Sequence, residues 1–295
     1  MNFGQVLTAM VTPFDQNGDV DFNAARLLVN YLIENGTEAL VVSGTTGESP
    51  TLTTEEKVAL FKLVVEEAAG RVPVIAGTGS NNTRASIHLT KLAVEAGVDG
   101  ILLVVPYYNK PSQEGIYQHF KAIAESTVLP VMLYNIPGRC GVNMSVETVV
   151  RLSKIHNIVA IKEASGNLDA MAEIISKTPD HFSLYSGDDG LTLPVLAIGG
   201  TGVVSVASHI IGNEMQDMVT KFKNGQLEEA AAAHRNLLPL MKGLFAAPNP
   251  TPVKAALNMT GIRVGDVRLP LVPLTDEEIS TLEKLLPTDK LVSVS

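Results

Sequence analysis

A lysine at the end of an apolar run is the first residue in this sequence with an evident chemical use. Lys162 closes Ile158-Val159-Ala160-Ile161, a setting in which burial disfavours an ammonium. The neutral amine that results is a nucleophile able to form a Schiff base with a ketone. The iminium then takes up the electrons released when the adjacent methyl group loses a proton, and the enamine so formed is a carbon nucleophile. Position alone leaves a plainer reading open, a rim lysine paired with Glu163 or another carboxylate. Tyr134 ends another apolar run and offers a phenol that donates and accepts in turn. Thr45 can hold its oxygen and pass the proton onward. The alternative for Tyr134 is a packed ring with one satisfied hydroxyl.

Two groups suit carboxylates. Gly44-Thr45-Thr46-Gly47 can turn backbone N–H groups inward as an anion nest, or form an ordinary turn before a helix cap. It is not a phosphate-binding loop, because no Gly-Lys-Ser/Thr ends it. Arg139 presents a planar fork to a second carboxylate, with a surface salt bridge as the alternative. The six histidines are dispersed along the chain without close ligand spacing, so no metal site is expected.

Positioning these groups requires strand ends. Short β-branched runs begin near Val6, Ala39, Val72, Gly100, Leu129, Asn157, His181 and Thr201. Their mean spacing is about 28 residues, the size of a strand plus a crossover helix. Helical periodicity fills most of the intervals, as in Phe22–Glu34, Thr54–Ala68 and 82–96. Strands apolar on both faces imply a parallel sheet covered by helices. Eight such units predict an α/β fold, a (β/α)8 TIM barrel, in preference to an open doubly wound sheet. After about Ser205 helices follow without matching strands, at 213–223, 227–241, 252–259 and 275–286. The first two can close the barrel and the last two form a C-terminal helical appendage, with 243–252 as connector. The expected division is a barrel over 1–224 and a helical region over 225–295. Catalytic groups then belong at the strand ends, where Ser43 to Glu48, Tyr107-Tyr108, Tyr134 to Arg139, Lys162 and Gly187-Asp188-Asp189 all fall.

The chain has 295 residues with 22 Lys and Arg against 31 Asp and Glu, a formal charge of −9. That balance disfavours nucleic acid or an anionic bilayer as partner. One cysteine, Cys140, permits no intrachain disulfide and suits a reducing cytoplasm. Met1-Asn2-Phe3-Gly4-Gln5 lacks a basic segment followed by an apolar one, so no signal peptide is expected. The stretch 190–213 carries no Asp, Glu, Lys or Arg. Pro194, Gly199, Gly200 and Gly202 interrupt it, favouring buried strand-and-turn structure over a membrane span.

Taken together, these motifs resemble the bacterial dihydrodipicolinate synthase family, within the N-acetylneuraminate lyase superfamily of pyruvate-dependent class I aldolases. The likeness runs through Gly44-Thr45-Thr46-Gly47-Glu48, Tyr107-Tyr108-Asn109-Lys110-Pro111, Tyr134-Asn135-Ile136-Pro137-Gly138-Arg139, Ile161-Lys162-Glu163 and Gly187-Asp188. Arg139 is the narrower signal, since sialic-acid lyases usually lack it. The resemblance implies condensation of pyruvate with L-aspartate 4-semialdehyde in lysine and diaminopimelate biosynthesis. A pyruvyl imine forms on Lys162, without an organic cofactor or metal. It implies a proton relay of Thr45, Tyr134 and a Tyr108 inserted from a neighbouring subunit. Thr46 would contact the pyruvate carboxylate and Arg139 that of the semialdehyde. Gly187 and Val204 would turn backbone carbonyls to the site, valine replacing the family's isoleucine at the latter. A cytoplasmic homotetramer, a dimer of dimers, is the implied assembly. A sugar-cleaving aldolase and a noncatalytic barrel are the competing readings.

The resemblance also implies a departure in regulation. Lysine-inhibited relatives carry histidines and a glutamate around a subunit cleft, and the corresponding places here are Thr54, Lys57 and Ala85. An effector ammonium loses its anionic partner there, although Ser49, Asn81 and Tyr107 remain. Inhibition by L-lysine is therefore expected to be weak or absent in a steady-state titration, and submillimolar inhibition would overturn that expectation.

Overall fold

The computed structural model describes residues 3–291; Met1 and Asn2 of the N-terminal stretch and the last four positions of the C-terminal region lie outside it. Eight parallel strands pair in sequence order and close on themselves: β1 (Val6–Ala9), β2 (Ala39–Val42), β3 (Val74–Gly77), β4 (Gly100–Val104), β5 (Val131–Asn135), β6 (Ile158–Glu163), β7 (Ser183–Ser186) and β8 (Gly202–Ser205). The closing ladder sets Val6 opposite Val203, Leu7 opposite Val204 and Thr8 opposite Ser205. An open sheet would leave that pair of edges apart, so the expected barrel is the observed one.

The helices are α1 (Phe22–Glu34), α2 (Thr54–Ala68), α3 (Thr83–Glu95), α4 (Gln113–Ala124), α5 (Pro137–Cys140), α6 (Val146–Leu152), α7 (Leu168–Lys177), α8 (Thr192–Ala197), α9 (Ser208–Lys223), α10 (Leu227–Gly243), α11 (Thr251–Met259) and α12 (Asp276–Glu283). Capping chemistry fixes the starts of α1, α2 and α3. Asp21 accepts from the Ala24 N–H, Thr53 and Glu56 exchange a reciprocal pair of bonds, and Asn82 accepts from Ala85. The expected 82–96 helix thus loses its end residues to caps. Prolines act similarly on strands. β3 and β5 start after Pro73 and Pro130, two residues later than the apolar runs suggest, since proline cannot donate to a ladder. The largest departure is α9, which starts five residues before the predicted 213. Its small, charge-free first turn breaks at Ile211 (φ −123°, ψ 39°), which hides the helical period. The uncharged stretch 190–213 becomes α8, β8 and that first turn. Among the described residues no helix is long and apolar enough to cross a membrane.

Strand pleating divides the core into two layers. Leu40, Val42, Ile101, Leu103, Leu133 and Ile161 face outward and pack under the helices, whereas Leu7, Val41, Ile75, Leu102, Met132, Ala160, Tyr185 and Val204 fill the barrel. Burying a side chain of this size contributes roughly 1.5–3 kcal/mol, so the barrel interior is a packed floor for the site above it.

His209 ties β1 to the segment after β8. Its Nε2 accepts the Val11 N–H at 3.2 Å, which places the proton on Nδ1, 2.8 Å from the Val206 carbonyl. The ring is fully buried, and burial pushes its pKa down to about 4. The folded protein therefore holds it neutral, while the unfolded chain protonates it near pH 6.5. Its contribution is complete above 6.5 and is lost as pH falls from there to about 4, on the order of 3 kcal/mol. Urea unfolding of His209→Gln should show a shallower loss of stability across that window than the unaltered chain; identical slopes would refute this.

Candidate active site

Lys162 and its neighbours are set by strand register. β6 alternates, so Lys162 shares the inward face with Ala160, while Ile161 and Glu163 face outward. Register places Lys162 between Tyr134 on β5 and Tyr185 on β7. Its side chain is 5% exposed, and Nζ lies 4.4 Å from the Tyr134 ring centroid. Burial brings the amine down from 10.5 to about 8, against the pull of the Asp189 carboxylate and with some help from Arg139. The rim-pair alternative fails. Glu163 accepts from Asn135 Nδ2 at 2.9 Å and from the Ser165 N–H at 2.7 Å, and among the described residues Lys162 forms no salt bridge.

The Tyr134 phenol is also desolvated, which pushes it up to about 12, although the Thr45 side chain opposes the shift. At neutral pH the phenol stays protonated. Thr45 sits in a tight turn after β2 in which Gly47, Glu48 and Ser49 donate their N–H groups to Gly44, Thr45 and Gly44. The Gly44, Thr45 and Thr46 N–H groups make no backbone hydrogen bond in this turn, as an anion nest requires. The Thr46 hydroxyl accepts from Asn249 Nδ2 at 2.9 Å, which leaves its own hydrogen to donate.

A cavity of about 1040 Å³ opens over these groups. Thr45, Tyr108, Tyr134 and Arg139 line it, with Lys57, Lys110 and Cys140 among their neighbours and no carboxylate in the wall. This cationic lining in a chain of charge −9 suits small anions. Arg139 stands on the one-turn α5 and reaches the Asn249 carbonyl at 3.5 Å. Tyr108 is 87% exposed at φ +72° and lines the open side of the cavity. Burial raises the Cys140 thiol to about 11, which keeps it protonated and inert.

Lys162, Thr46, Gly187 and Val204 do not line the open cavity; Thr46, Lys162 and Val204 are buried, and Lys162 lies against Tyr134, which does line it. Gly187 follows β7 so closely that a Cβ there would fall 2.6 Å from the Ala164 Cβ and 3.2 Å from Lys162 Cε. Only glycine leaves the lysine side chain its course. Val204 is buried in the barrel layer. Two further residues act here to which the sequence assigns no role, Asp189 at a strand end and Asn249 in a connector. Asp189 accepts from the Ser205 hydroxyl and from the Val206 and Ala207 N–H groups at 3.0 Å each, placing its carboxylate where it opposes the lowered Lys162 pKa. Asn249, read from sequence as part of a connector, reaches both Thr46 and Arg139.

The model of the Dihydrodipicolinate synthetase family matches residues 2–288. The chain belongs to that family. It is 70% identical over 283 residues to the 4-hydroxy-tetrahydrodipicolinate synthase 1 of Halalkalibacterium halodurans, covering 96% of both chains. It is 63% identical to the corresponding synthase of Bacillus subtilis, covering 97% of this chain and 99% of that one. A dihydrodipicolinate synthase crystal structure from Bacillus anthracis superposes with a TM-score of 0.95 at 65% identity, covering 97% of this chain and 98% of that chain. The family's Cyanidioschyzon merolae member, solved with lysine bound, gives 0.95 at 51% identity, covering 96% and 97%.

Proposed function

We propose that Lys162 carries out, as a Schiff base with pyruvate, the reaction of this synthase family. The activity is that of a 4-hydroxy-tetrahydrodipicolinate synthase, a lyase that joins pyruvate to L-aspartate 4-semialdehyde in lysine and diaminopimelate biosynthesis. The observation that supports the residue assignment best is the Lys162 amine, desolvated, without a salt bridge among the described residues, and lying against the ring of Tyr134, which lines a cationic cavity.

The steps follow from the groups present. The neutral amine attacks the pyruvate ketone, and a proton from Tyr134 helps the carbinolamine oxygen leave as water. The Thr45 and Thr46 N–H groups and the Thr46 hydroxyl bind the pyruvate carboxylate. Loss of a methyl proton gives the enamine, with the electron pair stored on the imine nitrogen. Its carbon attacks the semialdehyde, whose carboxylate sits on Arg139. The semialdehyde's own amine then displaces Lys162 by transimination, closing the ring and freeing the enzyme. The protein's amine is itself the electron sink, so this reading invokes no cofactor. Tyr108, exposed and left-handed, completes the relay from a neighbouring subunit in a tetramer of two dimers, and the location is cytoplasmic.

Borohydride reduction in the presence of pyruvate, followed by peptide mass mapping, should place the adduct on Lys162, and Lys162→Ala should abolish it. Arg139→Ala should retain trapping while lowering kcat/KM for the semialdehyde by roughly 100-fold, the loss of about 3 kcal/mol of a charge-assisted contact. An adduct mapped elsewhere, or trapping with pyruvate without synthase turnover in the unaltered chain, would contradict this reading.

A further inference from the structure

The loop that carries Thr45 and Thr46 is held from outside by a buried ion pair that the reaction itself does not use. The loop is bracketed by two non-glycine residues with left-handed backbone, Ser43 at φ 55° and Glu48 at φ 54°. Such conformations persist where surrounding contacts over-determine them. The contacts at Glu48 are complete. One carboxylate oxygen accepts from Lys254 Nζ at 3.1 Å and the other from the Arg268 N–H at 2.9 Å. Lys254 donates its other two protons to the carbonyls of Thr12 at 3.0 Å and Asp266 at 2.5 Å. It lies 1% exposed with its nitrogen 4.2 Å from the Phe14 ring centroid, and Glu48 is 3% exposed. The turn between is equally fixed: the Thr12 hydroxyl donates to the Gly47 carbonyl at 2.7 Å.

Lys254 lies on α11, and the same stretch of chain begins with Asn249, which donates to the Thr46 hydroxyl at 2.9 Å. The C-terminal region therefore grips the loop twice, at Thr46 and at Glu48. We propose that Glu48 and Lys254 are positioning residues for the reaction, a strut that sets the Thr45 hydroxyl against Tyr134 and the Thr46 hydroxyl toward the pyruvate carboxylate. The inference rests on the assignment of Thr45 and Thr46 to pyruvate under the proposed function. It makes the C-terminal helices a part of the active site: the barrel supplies the loop and the Thr12 tether to Gly47, and the C-terminal region supplies the holds at Thr46 and Glu48.

Glu48→Gln in the full-length chain keeps the side-chain shape and removes the charge facing Lys254. The KM for pyruvate should rise roughly tenfold or more and borohydride trapping at Lys162 should slow in step, because small displacements of an aligning group are costly. The KM for the semialdehyde should stay within about twofold, since Arg139 is untouched. Glu48→Gln combined with Lys254→Met leaves no lone buried charge and separates alignment from folding. That double variant should melt near the unaltered protein yet keep the pyruvate defect, whereas Glu48→Asp should recover part of it. Unaltered pyruvate kinetics in either folded variant overturns the strut. Absence of trapping in the unaltered chain overturns instead the Schiff-base reading beneath it.

Discussion

The cost of holding an ammonium in a dry barrel is the constraint on which this molecule turns. Lys162 lies between Tyr134 and Tyr185 on the inner face of the barrel, and desolvation brings its amine from 10.5 to about 8. At neutral pH about one amine in ten is then unprotonated, a gain of a few hundred-fold over an ordinary lysine. A full ion pair would cancel that gain by stabilising the charged form. The neighbourhood avoids one: Glu163 is turned to the outer face and held by Asn135 and Ser165, and Asp189 is engaged by Ser205, Val206 and Ala207. Nucleophilicity here is a property of the surroundings more than of the residue.

The rest of the structure serves the same end by division of labour. Strands set the floor, since pleating and register place Lys162, Tyr134 and Tyr185 side by side. Loops set the walls, and the C-terminal helices brace the loops through Asn249, Lys254 and Arg268. The expected division at residue 224 falls in the turn between α9 and α10, yet hydrogen bonds from Asn249 and Lys254 reach back to Thr46 and Glu48. The helical region is thus mechanically continuous with the barrel mouth.

What was legible in the sequence follows physical range. Strand positions and helix starts are local signals, and their errors trace to local causes, such as Pro73 and Pro130 shortening strands. The inward face of Lys162 follows from the alternation Ala160, Ile161, Lys162, Glu163 once a barrel is granted, which removes the Glu163 pair that adjacency suggests; the register shift that puts Ile158 on the outer side lies before it. Thr45, Tyr134 and Arg139 share one cavity as their strand-end places imply. Asn249 and Lys254 were illegible for a different reason: their partners lie 203 and 206 residues away, and no periodicity reports a contact of that span. Tyr108 is the converse case, a conspicuous residue whose side chain stands exposed on the rim of its own chain.

The central claim is that the barrel interior keeps the Lys162 amine reactive at neutral pH. The pH dependence of the single-turnover rate of imine formation with pyruvate, read by borohydride trapping mapped to Lys162, tests it most directly. The account predicts a rate that rises with pH and levels off through a midpoint near 8. A midpoint at the ordinary lysine value of 10.5 would contradict it.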